Sequence, residues 1–333
     1  MAPVPPLLEV ANLHVTLPTA QGRFAALRGV SFALARGATL GLVGESGCGK
    51  SLTALALMGL LPEGAQVGGS VRFEGRELTT LDEPALCALR GDRIGMVFQE
   101  PMTALNPVHT IGRQIAESLR LHKAMGGAAA RAQALRLLER VRLPQARARL
   151  DAHPHQLSGG QRQRVVIAIA LACGPDLLIA DEPTTALDAT IQREVLDLLD
   201  ELRREAGMAL LLISHNLDVM AAHVDRLAVM YGGRIVESGP THDVFVSPAH
   251  PYTRGLFAAR PTLGLPRGTR LATIRGRVPA LHEMPSGCAF ADRCGFATAA
   301  CRAQEPAEQT VSGGHAVRCI HWHAIRNAGA AAA

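Results

Sequence analysis

The chain has 333 residues, of which 48% are hydrophobic, and a formal net charge of +5. This length suggests two domains, and the hydrophobic share is enough for a proper core. The longest apolar runs fall well short of the roughly 20 residues that cross a bilayer. The start, MAPVPPLLEV, lacks a secretion signal, so we expect a cytoplasmic protein. From His250 onward the chain has 10 arginines and 4 acidic residues. Because aromatic residues make up only 3% of the chain, this basic end gives little support for nucleic-acid binding.

The first predicted elements are short strands followed by a helix. The runs LLEVANLHVTL, AALRGVSFAL and ATLGLVG predict strands, and the last ends at glycines, as a buried strand before a tight turn does. After Ser51 the run LTALALMGLL predicts a helix that ends at Pro62. A strand, a glycine-rich loop and a helix therefore follow one another.

The glycine-rich loop, GESGCGKS, fits the G-x-x-x-x-G-K-S pattern of a phosphate-binding loop. Glycines let backbone N–H groups turn inward around phosphates, and the N-terminus of the following helix favours negative charge. Lys50 would bind the outer phosphates, and Ser51 would offer its hydroxyl to Mg²⁺. The candidate phosphate-binding residues are Gly44, Glu45, Ser46, Gly47, Cys48, Gly49, Lys50 and Ser51.

Helical patterns between about Gly91 and Leu150 precede a series of short apolar strands. These strands are predicted at Leu177–Asp181, Ala209–Ser214 and Arg226–Tyr231, separated by helical segments such as IQREVLDLLDELRRE. This alternation is typical of a mainly parallel α/β sheet. From about His250 the pattern gives way to Pro-, Gly- and Arg-rich sequence, which indicates a domain boundary.

Two acidic residues follow the apolar part of the strand LLIAD. Asp181 would lie at the carboxyl end of a buried strand, where ligands bind in open α/β sheets. Asp181 would hold Mg²⁺, and Glu182 would orient or deprotonate the attacking water. Adjacent acids can also form an ordinary helix N-terminal cluster, but the phosphate loop upstream favours the catalytic interpretation.

The stretch LSGGQRQR at Leu157–Arg164, combined with these two motifs, resembles the signature of ABC-transporter ATPases. Gln99 in MVFQEP, TALD at Thr185–Asp188 and His215 in LISHNL follow the order of that family. The resemblance implies an α/β fold, namely an ABC-type P-loop ATPase core with a RecA-like parallel sheet, an antiparallel β subdomain and a helical subdomain, plus a small irregular C-terminal extension that contains cysteines. The implied boundaries are 1–249 for the nucleotide-binding domain, about 91–165 for its helical subdomain, 250–325 for the extension and 326–333 for a tail.

The resemblance also implies the roles of individual residues. In that family two cassettes sandwich two ATP molecules, so the signature of one contacts the ATP of the other. Ser51, Gln99 and Asp181 would contact Mg²⁺, and Glu182 and His215 would be catalytic. The signature residues that would contact the partner's ATP are Ser158, Gly159, Gly160 and Gln161. The family's adenine-stacking aromatic position falls on Leu17, which leaves the adenine contacts open.

Two stretches indicate a branch of the family. QEPMTALNP at Gln99–Pro107 resembles dipeptide, oligopeptide and nickel importer ATPases, and HPYTRGLFAARP at His250–Pro261 resembles the extension of the di- and oligopeptide members. The resemblance implies an ATPase that powers peptide import from the cytoplasmic face of the inner membrane. Its partners would be a second ABC ATPase subunit, paralogous or identical, two transmembrane permease subunits and an extracytoplasmic peptide-binding protein.

Other functions remain as alternatives. The cargo could be nickel, glutathione or an oligosaccharide, because this chain does not carry the residues that select cargo. A soluble ABC ATPase acting on nucleic acid is the alternative from another class. We expect no nucleic-acid partner, since such ATPases typically carry two cassettes or a long coiled-coil insertion, and this sequence shows neither.

Four of the seven cysteines, Cys288, Cys294, Cys301 and Cys319, lie near the end of the chain, with five, six and seventeen residues between them. Disulfides are not expected in a cytoplasmic protein. No pair has the spacing of two to four residues common in structural zinc sites, whereas wider spacing is compatible with an iron–sulfur cluster. Similar extensions of peptide-importer ATPases are associated with a 4Fe–4S cluster, so the resemblance implies one here, with a structural role. Zinc and free thiols remain alternatives.

Overall fold

The computed structural model describes residues 5–185, 187–260 and 273–330. Ala186 in the TALD stretch, residues 261–272 of the predicted extension and 331–333 of the predicted tail lie outside the described residues. The β-strands are β1 (Leu8–Thr19), β2 (Gly22–Leu34), β3 (Thr39–Val43), β4 (Gln66–Phe73), β5 (Arg76–Glu77), β6 (Ile94–Val97), β7 (Leu177–Asp181), β8 (Ala209–Ile213), β9 (Arg226–Tyr231), β10 (Arg234–Pro240), β11 (Gln309–Ser312) and β12 (His315–Val317).

The α-helices lie between and after these strands along the chain, and short 3-10 helices occur at Pro154–Gln156, Leu281–Glu283 and Ala291–Arg293. No helix in the described ranges has the length and apolar character needed to span a membrane. The α-helices are α1 (Lys50–Leu57), α2 (Glu83–Leu89), α3 (Pro101–Ala104), α4 (Ile111–Lys123), α5 (Gly127–Arg140), α6 (Ala146–Arg149), α7 (Gly159–Ala170), α8 (Ala189–Ala206), α9 (Leu217–His223), α10 (Thr241–Val246), α11 (Pro251–Ala258), α12 (Ala299–Ala303) and α13 (Trp322–Ala330).

The chain divides into two compact units, and the first consists mainly of Phe73–Ile213. Its strands β6, β7 and β8 are parallel neighbours, with Ile94 opposite Leu177 and Asp181 opposite Ile213. Every residue of β7 and β8 is buried, which accounts for their continuous apolar sequence. Helix α4 buries Ile111, Ile115 and Leu119, an i, i+4, i+8 stripe, and it packs against α5 and α7.

The second unit contains Glu9–Ala33, Leu40–Arg72 and the chain from Ser214 onward. Its buried strand β3 pairs in parallel with β9, and β9, β10, β12 and β11 continue as antiparallel neighbours. A separate sheet places β1 between β2 and β4. Parallel strands with an antiparallel β part are the α/β architecture that the sequence predicts.

The last segment of the second unit has its own small apolar core. Val317, Cys319, Trp322 and Ile325 pack with Ala249, and the indole Nε1 of Trp322 donates to Oε1 of Gln309 at 2.8 Å. The hairpin β11–β12 extends the sheet through β10, a feature that the sequence analysis did not predict. The extension therefore builds on the strand that precedes it in the chain.

Candidate functional site

The phosphate loop connects β3 to α1, as the sequence predicts. Gly44, Gly47 and Gly49 have φ of 154°, 82° and 107°, backbone conformations that side chains rarely adopt. A Cβ on Gly44 would lie 2.3 Å from the carbonyl oxygen of Met230, and one on Gly49 would lie 2.7 Å from Cδ2 of Leu27. The backbone angles thus favour glycine at all three positions, and close packing also requires it at Gly44 and Gly49.

Lys50 begins helix α1 and points back into the loop. Its Nζ donates to the carbonyl oxygens of Gly44 at 2.8 Å and Glu45 at 3.2 Å, and the residue is 7% exposed. A buried ammonium at the start of a helix that donates to two loop carbonyls, with Sγ of Cys48 at 3.9 Å, forms a binding point for an anion. Ser46 and Gly47 at the tip of the loop are exposed, and Ser51 is half-buried. Burial raises the pKa of the Cys48 thiol, so this cysteine is a packing group rather than a nucleophile.

The predicted acidic pair lies at the carboxyl end of β7 in the first unit. Asp181 is buried, with 4% of its surface exposed. Glu182 has φ of 47°, an uncommon conformation for a residue with a side chain. Its amide donates to the carbonyl of Ile213 at 2.9 Å, and the hydroxyl of Thr185 donates to its Oε2 at 2.8 Å. Backbone and side chain of Glu182 are both held, which is the preorganisation expected of a catalytic group.

Gln99 is exposed just after β6, the strand that pairs with β7. Because parallel strands end at the same edge of a sheet, Gln99 and the acidic pair lie at the same edge of the first unit. His215, in the second unit, is exposed immediately before Asn216, which caps α9 by accepting the amides of Asp218 and Val219.

The signature stretch forms the start of α7. Ser158 caps the helix, accepting the amide of Gln161 at 3.4 Å, while Oε1 of Gln161 accepts the amide of Ser158 at 3.2 Å. Gly159 is exposed, and a Cβ on Gly160 would lie 2.8 Å from Cγ2 of Ile191. The first turn of α7 therefore exposes a helix N-terminus at Ser158 and Gly159, which favours negative charge, while Gly160 packs closely against α8.

Two residues that sequence reasoning missed contact the phosphate loop. The hydroxyl of Tyr252 accepts the amide of Glu45 at 2.7 Å, and the guanidinium of Arg293 binds the Glu45 carboxylate. They lie 207 and 248 positions away along the chain. Only the resemblance of the HPYTRG stretch drew attention to Tyr252, and no local pattern marks Arg293.

The four clustered cysteines line one cavity, together with Phe290 and His250. The sulfurs of Cys288, Cys294 and Cys319 each accept an N–H from the residue two positions later. Burial raises the pKa of all three thiols, that of Cys319 to about 12, and the neighbouring cysteines contribute to the increase. In the described part of the chain, no three His, Cys, Asp or Glu side chains form a metal-holding group. The predicted metal site thus has convergent sulfurs but no formed coordination sphere.

Comparisons with known proteins define the family. The family model for the ABC transporter matches residues 27–185, and the one for the oligopeptide/dipeptide transporter C-terminal region matches residues 236–301. The dimeric ATP-binding cassette MJ0796 bound to ADP and Pi has a TM-score of 0.63 and 29% identity, and the match covers 70% of this chain and 98% of that one. CbiO1 of Clostridium perfringens, part of an ABC transporter complex, matches with a TM-score of 0.62 and 27% identity over 73% of this chain and 91% of its own. The chain is therefore an ABC-type ATPase.

Relatives among curated proteins define the branch. A protein of Brucella melitensis named "Putative peptide import ATP-binding protein" is 49% identical over 96% of this chain and 98% of its own length. One with the same description from Brucella abortus is 51% identical over 94% of both chains. The chain belongs to this family of peptide import ATP-binding proteins, which confirms the family and the fold predicted from the sequence.

Proposed function

We propose that this chain hydrolyses ATP to power the import of di- or oligopeptides through an ABC transporter. The observation that carries the proposal is the match to peptide import ATP-binding proteins over 96% of the chain, which spans the phosphate loop and the C-terminal extension alike. The structure supports it with a glycine-lined phosphate loop, a preorganised Glu182 and a capped signature helix. Nickel, glutathione or oligosaccharide as cargo is the second candidate.

In this proposal the phosphate loop, Gly44–Ser51, binds the phosphates of ATP. Lys50 exchanges its two carbonyl partners for phosphate oxygens, and Glu182 orients or deprotonates the attacking water, with His215 at the γ-phosphate. The hydroxyl of Ser51, the amide of Gln99 and the carboxylate of Asp181 are the oxygen ligands that would hold Mg²⁺, which would neutralise charge on the phosphates. Phosphoryl transfer depends mainly on such positioning and charge stabilisation.

The partners in this proposal follow from the family. A second ATPase subunit, paralogous or identical, contributes its signature to the ATP bound here, and Ser158, Gly159, Gly160 and Gln161 of this chain contact the ATP of that partner. Two permease subunits dock near Gln99 from the membrane, and an extracytoplasmic protein delivers the peptide. The chain acts at the cytoplasmic face of the membrane, with residues 1–249 as nucleotide-binding domain and 250–325 as extension.

Uptake of a radiolabelled tripeptide tests the function. A strain that lacks this chain should regain uptake when it receives the wild-type gene, and Lys50→Gln should fail to restore it because the phosphates lose their lysine. The chain has one other lysine, Lys123, which pairs with Asp92 at 2.6 Å, so Lys123→Gln is the matched control and should restore uptake. Restoration by Lys50→Gln, or normal peptide uptake in the deletion strain, would contradict the proposal.

We also propose that Cys288, Cys294, Cys301 and Cys319 hold a 4Fe–4S cluster that stabilises the extension. Their sulfurs line one cavity, and the backbone N–H groups donated to three of them stabilise thiolates. Burial raises the pKa of the Cys288, Cys294 and Cys319 thiols and so favours their neutral form, whereas metal coordination deprotonates a thiol. The apolar core of the extension is small, so a cluster that links its cysteines would stabilise its fold.

Iron and acid-labile sulfide analysis of anaerobically purified protein tests the cluster. About four irons and four sulfides per chain are expected, with loss in Cys294→Ser. Cys87→Ser is the control, because Cys87 is exposed on α2 and lies outside the cavity. A result of one zinc without sulfide would show a structural zinc site instead of the cluster. If neither iron nor zinc is found, the cysteines are free thiols.

A further inference from the structure

Arg293 contacts the phosphate loop from the segment that contains the four clustered cysteines, Cys288–Cys319, which we call the cysteine segment. Its guanidinium nitrogens contact the two carboxylate oxygens of Glu45 at 2.5 Å and 2.9 Å, a bidentate pair. The side chain of Arg293 is 6% exposed and that of Glu45 is 30% exposed. Bidentate and partly buried pairs of this kind are much stronger than exposed ion pairs, which contribute little.

The orientation of Arg293 is fixed by further contacts. Its Nε donates to the carbonyl of Arg275 at 2.8 Å, and Nη1 donates to the hydroxyl of Tyr231 at 3.2 Å. The guanidinium lies 5.6 Å from the ring centre of Tyr231 and 5.7 Å from that of Phe290. Arg293 directly precedes Cys294, so the cysteine segment determines where this charge lies.

The backbone of Glu45 is held by the same part of the molecule. Its amide donates to the hydroxyl of Tyr252, a fully buried residue of α11. The ring of Tyr252 packs against Tyr231 at 4.7 Å and Phe290 at 5.4 Å between ring centres. Both the main chain and the side chain of one loop residue are therefore fixed by the chain beyond β9.

The charge of Glu45 explains why this contact matters for nucleotide binding. Glu45 is the one acidic residue in GESGCGKS, and it lies next to Gly44, whose carbonyl accepts from the phosphate-binding Lys50. An unneutralised carboxylate here would repel a triphosphate and compete for Lys50. The guanidinium of Arg293 compensates this charge and holds both carboxylate oxygens against the cysteine segment.

We propose that Arg293 is a positioning residue of the phosphate loop, so that the cysteine segment forms part of the nucleotide site. This inference rests on the proposed function, in which the loop binds ATP. It adds that the C-terminal segment sets the affinity for ATP by neutralising and orienting Glu45. Arg293 acts through Glu45 and does not itself touch the nucleotide.

Titration of the purified full chain with Mg·ATP tests this role. Arg293→Gln should weaken ATP binding about tenfold or more, because it leaves the Glu45 carboxylate uncompensated. The double variant Glu45→Gln/Arg293→Gln should recover most of the affinity, since removing both partners removes the repulsion. In hydrolysis assays the single variant should raise KM much more than it lowers kcat.

Arg302→Gln is the matched control. Arg302 follows Cys301 in the same segment, but its side chain is 57% exposed and its partner is Asp292. The ATP affinity of the Arg302→Gln variant should equal that of the wild type. A double variant as weak as Arg293→Gln would show that Arg293 only supports the fold of the segment, and normal binding by Arg293→Gln would exclude any role at the loop; either result overturns the inference. Failure of the wild type to bind Mg·ATP would instead overturn the proposed function, and the inference with it.

Discussion

Glu182 shows how a single residue combines a strained backbone with a defined role. Its left-handed φ of 47° costs about 1–3 kcal/mol for a residue other than glycine. The amide bond to Ile213 and the hydroxyl bond from Thr185 hold this conformation, and the sequence pattern LLIADEP contains no sign of it. A strained acidic residue at the end of a buried strand fits the role of orienting a water molecule.

Changing Glu182 to Gln separates binding of ATP from its hydrolysis. The amide keeps the size and the hydrogen bond from Thr185 but cannot take a proton, so hydrolysis should fall by about 100-fold or more while Mg·ATP still binds. Phosphate release and nucleotide titration measure the two steps. Glu201→Gln on the exposed face of α8, where Glu201 pairs with Arg142, should leave both unchanged. Wild-type turnover by the Glu182 variant would rule out its assigned role.

At the level of elements, each residue of the stretch His250–Tyr252 has a structural role at the start of α11. The Nδ1 of His250 accepts the amide of Tyr252 at 3.1 Å, Pro251 occupies the first helical position, and Tyr252 reaches the phosphate loop. Burial lowers the pKa of His250 to about 4, although the charge of Glu237 opposes this change. Only the neutral ring can accept at Nδ1, so the cap and the low pKa agree.

The low pKa of His250 makes stability depend on pH. Between pH 6.5 and about 4 the unfolded chain binds a proton at His250 that the folded chain does not, so stability falls as the pH falls, by up to about 3 kcal/mol. His250→Asn keeps a capping acceptor without a titrating ring, and its free energy of unfolding should lose less between pH 7 and pH 5 than that of the wild type. Denaturant titrations at both pH values measure this difference, with His242→Asn, which is exposed on α10, as control. Parallel pH profiles for His250→Asn and wild type would contradict it.

Strand β10 joins the extension to the sheet through a buried pair that local patterns do not reveal. The carboxylate of Glu237 accepts the amides of Ala249 and His250 and the Nε2 of His315, the last at 2.7 Å. His315 is 1% exposed, and this pair with Glu237 accounts for its burial. Partners 78 positions apart carry no periodicity or spacing that a sequence reveals, unlike strands and phosphate loops, whose signals are local.

For the whole molecule, each of the candidate site motifs is contiguous in the sequence, and this is why the sequence could suggest them. The loop, the acidic pair and the signature each consist of neighbouring residues whose types follow from phosphate chemistry. The contacts that join distant segments, such as Arg293 with Glu45, follow from tertiary packing and could not be predicted. The role proposed for the signature is contact with the ATP of a second subunit. That contact needs a second chain, so contacts within this chain do not contain it.

Gly159 offers a test of the contribution to a second subunit. It is exposed as the first residue of α7, and a Cβ there would meet only Cδ2 of Leu187 at 3.6 Å, an ordinary contact. Gly159→Glu should therefore fold and bind Mg·ATP normally, yet hydrolysis should fall by at least tenfold, because a carboxylate repels the phosphates of the partner's ATP.

The control for this variant is another exposed glycine at the first position of a helix. Gly127 begins α5, and nothing lies within 4 Å of a Cβ placed there, so Gly127→Glu makes the same chemical change away from the signature. Glutamate at a helix N-terminus is favourable in both places, and neither variant should lose stability. Phosphate release by the assembled transporter should be normal for Gly127→Glu. If Gly159→Glu also hydrolyses ATP normally, the first turn of α7 does not face a nucleotide, and the ATP of the partner must be contacted elsewhere.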